Sequence, residues 1–186
     1  MSTSRNTWRI EQRHRPFSCM IADLTIISGG QTGADRAALD WCLHHNVRHR
    51  GWCPKGRWAE DGAIDARYAL SQTPLSNPAQ RTEWNVRDSD GTVVFSIGKT
   101  LSGGSRLTVK FARQYRRPLL HLHSDSANPA RRLKAFIRQH QIHVLNVAGP
   151  RASQEPAIGK FVSSVLDECI RKATRRPQLT SKGPNP

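Results

Sequence analysis

The sequence lacks an apolar run of the roughly 18 to 20 residues that a membrane-spanning helix needs. Residues 1–16 are polar and basic, without the apolar segment of a secretory signal. The four cysteines, Cys19, Cys42, Cys53 and Cys169, do not show the paired spacing of a metal site. These absences predict a soluble, reduced protein of the cytoplasm.

Acidic residues are also scarce, since 14 Asp and Glu stand against 29 Lys and Arg and leave a formal net charge of +15. Nucleic-acid binding is one interpretation, because cationic side chains neutralise phosphates. Much of the charge lies at the ends, however, with +3 in residues 1–19 and +5 in residues 171–186, which leaves +7 elsewhere. We expect a basic arm at 1–22 and a basic tail at 173–186, both without stable structure, around one domain at 23–172.

Short apolar strands alternate with amphipathic helices along this domain. The pattern predicts strands at 23–28, 91–96, 118–123 and 143–148, and helices at 34–45, 107–115, 129–140 and 158–169. Such alternation is typical of an α/β fold of Rossmann-like type, with an open, mainly parallel sheet and helices on both faces. A further strand at 50–53 has a weaker signal. Residues 54–88 are polar and without periodicity, which is typical of an excursion that serves a binding site.

Two glycine-rich segments, GGQTG at 29–33 and SGGS at 102–105, each follow a predicted strand. Ligands of open parallel sheets bind beyond the carboxyl ends of the strands, and glycine lets backbone N–H groups approach an anion there. Neither segment matches the GxGxxG or GxxxxGK[ST] pattern, so common dinucleotide and P-loop sites lose support. Each glycine pair can instead serve only a tight turn, with Thr32 or Ser105 as helix caps.

A series of motifs in the same order resembles the molybdenum-cofactor carrier proteins. The motifs lie at 28–36, 51–57, 59–62, 81–92, 101–105 and 145–151. The resemblance extends from residue 23 to about residue 170 and implies a Rossmann-like homo-oligomer, either dimer or tetramer. It also implies that the ligand is the molybdenum cofactor (molybdopterin), a pterin with a phosphate and an oxo-metal dithiolene, and that a molybdoenzyme receives it.

The wider resemblance includes lysine-decarboxylase-like proteins, among them nucleoside-monophosphate phosphoribohydrolases with a PGGxGTxxE signature. In this chain Ser102 stands at the position of the proline, Arg106 at the third glycine and Lys110 at the glutamate. A lysine does not provide the acid or base chemistry of a glutamate, but its charge suits an anionic ligand. We therefore favour a carrier that is not an enzyme, and keep a nucleotide or nucleotide-sugar hydrolase as the alternative.

The resemblance and the loop positions together predict which residues hold the phosphate-bearing ligand. They are Gly29, Gly30, Gln31, Thr32, Lys55, Arg57, Arg81, Gly103, Gly104, Ser105 and Thr108. Arginine offers a bidentate donor to such an anion, and lysine a point charge. Structural roles remain open for the cations: Arg81 can pair with Glu83 or Asp88, and the two loop cations can be solvated. Arg36 is expected to pair with Asp40 at i, i+4.

Three metal-binding alternatives stay open beside the expected site. Carboxylates can hold Mg²⁺, which prefers oxygen ligands, and the candidates are Asp35, Glu60, Asp61, Glu83, Asp88 and Asp90. His121 and His123 share one face of a predicted strand but lack a third ligand at metal spacing. Cys53 can contact molybdenum as a thiolate or simply fill the core as a small apolar side chain.

Overall fold

A computed structural model describes residues 16–171 of the 186-residue chain. These residues form eight strands: β1 Thr25–Ile27, β2 Arg48–Cys53, β3 Trp58–Ala59, β4 Gly62–Ala63, β5 Leu70–Gln72, β6 Gly91–Ser96, β7 Leu119–His123 and β8 Val144–Ala148. Six of them build one sheet in which every pairing is parallel, while β3 and β4 form a separate antiparallel hairpin. The predicted parallel sheet is confirmed, and the weak strand signal at 50–53 belongs to β2.

Helices cover both faces of the sheet, as the Rossmann-like prediction requires. They are α1 Phe17–Ala22, α2 Ala34–His44, α3 Pro78–Arg87, α4 Gly103–Gln114, α5 Pro129–Gln139 and α6 Ile158–Leu166, which runs on into a π-helical turn, Asp167–Arg171. The main core joins α2, α5 and α6 to inward-facing strand residues such as Phe95, Leu122 and Leu145. Helices α3 and α4 pack against each other, with α3 against β2 and α4 against β6. None of the helices within 16–171 is long and apolar enough to span a membrane.

The strand order is β5-β2-β1-β8-β6-β7. The chain leaves β1 towards β2 on one side of the sheet, whereas it leaves β6 towards β7 on the other side. The direction of winding therefore reverses between β1 and β6, where β8 is inserted. Loops diverge at such a point and leave a crevice beyond the carboxyl ends of the strands. The loops after β1, β6 and β8 are therefore where a ligand-binding crevice is expected.

The excursion at 54–88 has more regular structure than its polar sequence indicated, since it holds the hairpin, β5 and α3. Helix α3 begins at Pro78. The side chain of Asn77 caps it by accepting a hydrogen bond from the backbone N–H of Ala79 at 2.9 Å. Helix α5 begins with the same Asn-Pro pair, at 128–129, and its start was predicted from that pair. The sequence therefore also held a signal for the start of α3. It was overlooked because the buried residues of α3 are mostly polar: Thr82, Asn85 and Val86.

The domain begins earlier than the expected boundary at residue 23. Residues assigned to the basic arm form α1, in which Phe17, Met20 and Ile21 are buried against the main core. The ammonium group of Lys134 lies 4.7 Å from the centre of the Phe17 ring. The boundary is corrected because these apolar side chains share one face of a helix. The expectations for residues 1–15 and 172–186 fall outside the described residues.

Cys42, Cys53 and Cys169 are buried, and Cys19 is exposed. Burial raises the pKa of Cys42 and of Cys169 to about 12, so both stay neutral thiols. Burial also raises the pKa of Cys53. A neutral thiol in the core disfavours a thiolate contact with molybdenum.

Replacing Phe17 by alanine should lower the free energy of unfolding by about 2 to 4 kcal/mol, because the change leaves a cavity between α1 and the main core. Ser18→Ala on the exposed side of α1 is the matched control and should change it by less than about 0.5 kcal/mol. Urea unfolding of both variants measures the difference. Equal stability of the two variants would contradict the packing of α1.

Candidate functional site

A cleft of about 320 Å³ opens at the crevice beyond the carboxyl ends of the strands. Its volume lies at the lower end of the range of about 300 to 1,000 Å³ that is usual for small-molecule sites. The first turns of α3 and α4, Gln31 after β1 and the loop after β8 form its walls. Arg81 and Arg151 are the charged residues of this lining, and both are cations.

Arg81 is fixed by a buried carboxylate. Its Nη1 donates to Oδ2 of Asp35 at 2.9 Å, and the two side chains are 15% and 4% exposed. Burial raises the pKa of Asp35, and the neighbouring guanidinium opposes that rise. Nε of Arg81 is buried and has no hydrogen-bond partner among the described residues. The guanidinium is thus held on one side by a carboxylate, while a second donor is left without a partner, which is costly in a buried position.

Helix α3 determines the position of Arg81, and side-chain contacts hold this helix against β2. The side-chain amide of Asn85 accepts from the backbone N–H of Trp52 at 2.8 Å and donates to its carbonyl oxygen at 3.0 Å. The indole N–H of Trp52 donates to Asp88 at 2.7 Å, and its ring meets Trp84 edge-on at 4.7 Å. These contacts keep α3 from turning about its axis, so Arg81 stays directed towards the cleft.

The N-terminus of α4 is open at the opposite wall. No side chain caps it, and its first N–H groups have no intrahelical acceptor. Gly103 has a φ of +46°, in the left-handed region that favours glycine. A Cβ atom at Gly104 would meet nothing within 4 Å. Backbone donors and the positive end of the helix dipole therefore face the same cleft as Arg81.

The first glycine segment has a packing role instead. A Cβ atom on Gly29 would lie 2.1 Å from Nη1 of Arg81, so glycine is needed there to admit the guanidinium. A Cβ atom on Gly30 would lie 2.6 Å from the side chain of Leu70. Within 29–33 only Gln31 lines the cleft. Both glycines of the second segment, Gly103 and Gly104, line the cleft, whereas those of the first do not.

Glu60 ties the hairpin to two loops of the site. Its carboxylate accepts hydrogen bonds from the hydroxyl of Thr32 and from the hydroxyl of Ser153, the latter at 2.6 Å. These bonds, led by the one from Ser153, lower the pKa of Glu60. Its own N–H donates to Oε1 of Gln31 at 2.9 Å. The prediction that Thr32 caps α2 is wrong, because Gly33 holds that position and no side chain caps the helix.

The structure brings together about half of the predicted ligand residues. Gln31, Arg81, Gly103, Gly104 and Ser105 line the cleft, and Gly29, Gly30, Thr32, Lys55, Arg57 and Thr108 do not. Arg57 donates to carbonyl oxygens of residues 64, 65, 68 and 70 and so stabilises the excursion. The hydroxyl of Thr108 donates to the carbonyl of Gly104 at 3.0 Å, inside α4. Lys55 is exposed outside the cleft.

Sequence reasoning missed Arg151 and Gln154 as cleft residues. Both follow β8, which the predicted strands did not place next to β1. The guanidinium of Arg151 lies 6.0 Å from the centre of the exposed Trp58 ring, which belongs to the hairpin. The GPR motif at 149–151, directly after the last predicted strand, could have indicated Arg151 as a residue of the site.

The expected carboxylates are engaged in structural contacts. Asp61 pairs with Arg36 at 3.2 Å, Glu83 accepts from the hydroxyl of Tyr115 at 2.6 Å, and Asp90 accepts from backbone N–H groups at 143 and 144. Two predicted pairings are wrong. Arg81 pairs with Asp35 rather than with Glu83 or Asp88, and Arg36 pairs with Asp61 rather than with Asp40, because the excursion folds back over α2. Asp40 contacts Arg67.

The residues considered as alternative metal ligands do not form a cluster. Within residues 16–171, no group of three or more His, Cys, Asp or Glu side chains is arranged around a metal position. His121 and His123 do share a face, with ring centres 5.7 Å apart. Nε2 of His121 lies 2.7 Å from the hydroxyl of Ser96, and burial lowers the pKa of His121.

Comparisons with known proteins agree with the motifs. A solved structure titled "Putative molybdenum carrier protein", from Syntrophus aciditrophicus SB, is 46% identical and superposes with a TM-score of 0.77, covering 80% of this chain and 96% of that one. No curated protein matches the chain. The resemblance to the carrier proteins is therefore confirmed. Residues 26–170 match the model of the circularly permutated YpsA SLOG family, which spans more than half of the sequence, and the chain belongs to that family.

Proposed function

We propose that the cleft binds a phosphate-bearing anion, the molybdenum cofactor, and that the protein carries this ligand without converting it. The observation that carries the proposal is that Arg81 and the open N-terminus of α4 line one cleft. The printed name of the similar structure, a molybdenum carrier, supports the choice of cargo.

The chemistry of this lining fits a phosphate or an oxo group. Arg81 and Arg151 supply charged, planar donors, and Gly103 and Gly104 let backbone N–H groups come close. A hydrogen bond to a charged group contributes about 1.5 to 3 kcal/mol, whereas a helix N-terminus contributes about 0.3 to 1 kcal/mol. Arg81 is therefore the main contributor, and α4 adds orientation.

Carriage is favoured over hydrolysis because no carboxylate is among the described residues that line the cleft. Asp35 pairs with Arg81 and is almost fully buried. Lys110, at the position of the hydrolase glutamate, lines a separate groove on the outer side of α4. The residues that would exchange protons with a sugar ring in a phosphoribohydrolase are thus missing from the walls of this cleft.

Gly104→Val should abolish most of the binding of a phosphorylated pterin, because a branched side chain would project into the cleft from the open end of α4. The wild-type protein should gain several degrees in melting temperature with this probe, since ligand binding to the folded state raises stability. The variant should gain almost nothing. Differential scanning fluorimetry with and without the probe measures both.

Gly98→Val is the matched control, because a Cβ atom there also meets nothing within 4 Å and Gly98 does not line the cleft. It should keep the full shift in melting temperature. An unchanged shift in a folded Gly104→Val protein would contradict the site. Release of ribose 5-phosphate from AMP by the wild-type protein, lost on changing Arg81, would contradict carriage and support the hydrolase.

Arg81→Lys should weaken the phosphorylated pterin about 10-fold or more, because lysine keeps a charge for Asp35 but loses the planar fork of donors. Lys55→Ala, at a residue outside the cleft, should leave the affinity within about twofold. Isothermal titration calorimetry gives both affinities. If Lys55→Ala weakened the ligand while Arg81→Lys did not, the ligand would lie against the excursion and not in the cleft.

A further inference from the structure

A second concave surface, here called the basic groove, lies beside the cleft along the outer side of α4. Its volume is about 940 Å³. The cations that line it are Lys99, Arg106, Lys110 and Arg113. All are exposed, and none of their side chains forms a hydrogen bond or ion pair with another residue of 16–171. No acidic residue is among the described residues that line the groove.

Three of these cations form a stripe on one helix. Arg106, Lys110 and Arg113 follow one another at spacings of four and three, so their side chains lie on the same face of α4. Like charges at such spacings repel and destabilise a helix slightly. No acidic side chain of the described residues pairs with these cations, and an anionic partner would relieve their repulsion. The charge pattern of α4 is therefore better explained by binding than by folding.

The remaining lining indicates which kind of anion the groove accepts. Leu101, Leu107 and Val109 give it an aliphatic floor, and the lining holds no Phe, Tyr or Trp. Proteins that bind single-stranded nucleic acids stack successive bases on several aromatic side chains, whereas His121 is the one aromatic ring among the described residues of this lining. Protein interfaces instead combine an apolar centre with a charged rim. The combination fits an acidic protein surface with exposed aliphatic side chains.

We propose that the basic groove docks such an acidic, partly aliphatic surface of a second protein. Gly103 lines both the groove and the cleft, so the docked partner would sit at the end of α4 that faces the ligand. That the partner donates or receives this ligand rests on the proposed function. The docking itself depends only on the chemistry of the groove.

Fluorescence anisotropy with a labelled amphipathic peptide of Glu, Asp and Leu tests the proposal on the full-length protein. The variant Lys99→Glu/Lys110→Glu/Arg113→Glu should bind this peptide about 10-fold or more weakly, because three rim charges are reversed. Arg131→Glu/Arg138→Glu/Lys160→Glu changes exposed residues outside the groove by the same total charge and should bind almost as the wild type does. Both variants keep the basic segments outside 16–171, so any attraction by those segments is equal in the two.

Two further probes make the result specific. A peptide with each Leu replaced by Ser should bind more weakly than the first peptide, and an oligo(dT) strand should not distinguish the two triple variants. Equal losses in both variants would reduce the effect to net charge and overturn the proposal. Oligo(dT) binding that only the groove variant loses, with no binding of the acidic peptide, would overturn it in favour of nucleic acid.

The groove and the cleft can fail independently. Gly104→Val should still bind the acidic peptide, and the groove variant should keep the pterin-induced shift in melting temperature at the level of the other triple variant. Loss of pterin binding throughout, with peptide docking intact, would refute the proposed function alone. Loss of peptide discrimination, with pterin binding intact, would refute the docking surface alone.

Discussion

The ion pair between Asp35 and Arg81 joins the two halves of the binding site. A carboxylate as buried as Asp35 loses its hydration on folding, and breaking such a pair by removing one partner costs about 3 to 5 kcal/mol. The pair fixes the first turn of α2 against α3, whose own attachment to β2 depends on Asn85. It also requires glycine at position 29, where any side chain would occupy the space of the guanidinium. The most conspicuous glycine motif thus serves to place an arginine.

A second set of contacts, made by Glu60, connects the loops around the site. Glu60 joins the β3–β4 hairpin to the loops after β1 and β8, through Thr32, Gln31 and Ser153. Helix α4, by contrast, meets the cleft with an uncapped end and turns a row of cations outwards. One side of the site is thereby held by internal hydrogen bonds, and the other offers unpaired donors and charges. In the proposed account, the first side shapes the cleft and the second recognises ligand and partner.

The parts of the fold that follow local rules could be predicted from the sequence. β6 is a short apolar run, and α5 and α6 carry regular apolar stripes, so their places in a parallel α/β sheet followed from periodicity. Helix α3 was not predicted because its buried face includes an asparagine. The side-chain amide of this asparagine is hydrogen-bonded to the backbone of Trp52, and apolar periodicity does not detect such a contact. Helix α1 was not predicted because it is short and directly follows a segment rich in arginine.

The site was only half predictable for a related reason. The glycine segments and Arg81 were found through the motif series, but the partner of Arg81 lies 46 positions earlier in the chain, beyond any i, i+4 rule. Arg57 is an arginine in the same motif series as Arg81, so the sequence does not distinguish the two. In the structure its N–H groups donate to carbonyl groups of the excursion. Arg151 joined the cleft only through the insertion of β8 between β1 and β6. Residue type indicated an anion, and topology decided which cations face it.

Native mass spectrometry of the full-length protein, purified from its own host, tests the central claim most directly. The account predicts an added mass equal to a phosphate-bearing pterin, with or without its metal, on the wild-type protein and a much smaller bound fraction on Arg81→Lys. A ligand-free wild type, or a nucleotide in place of the pterin, would contradict it.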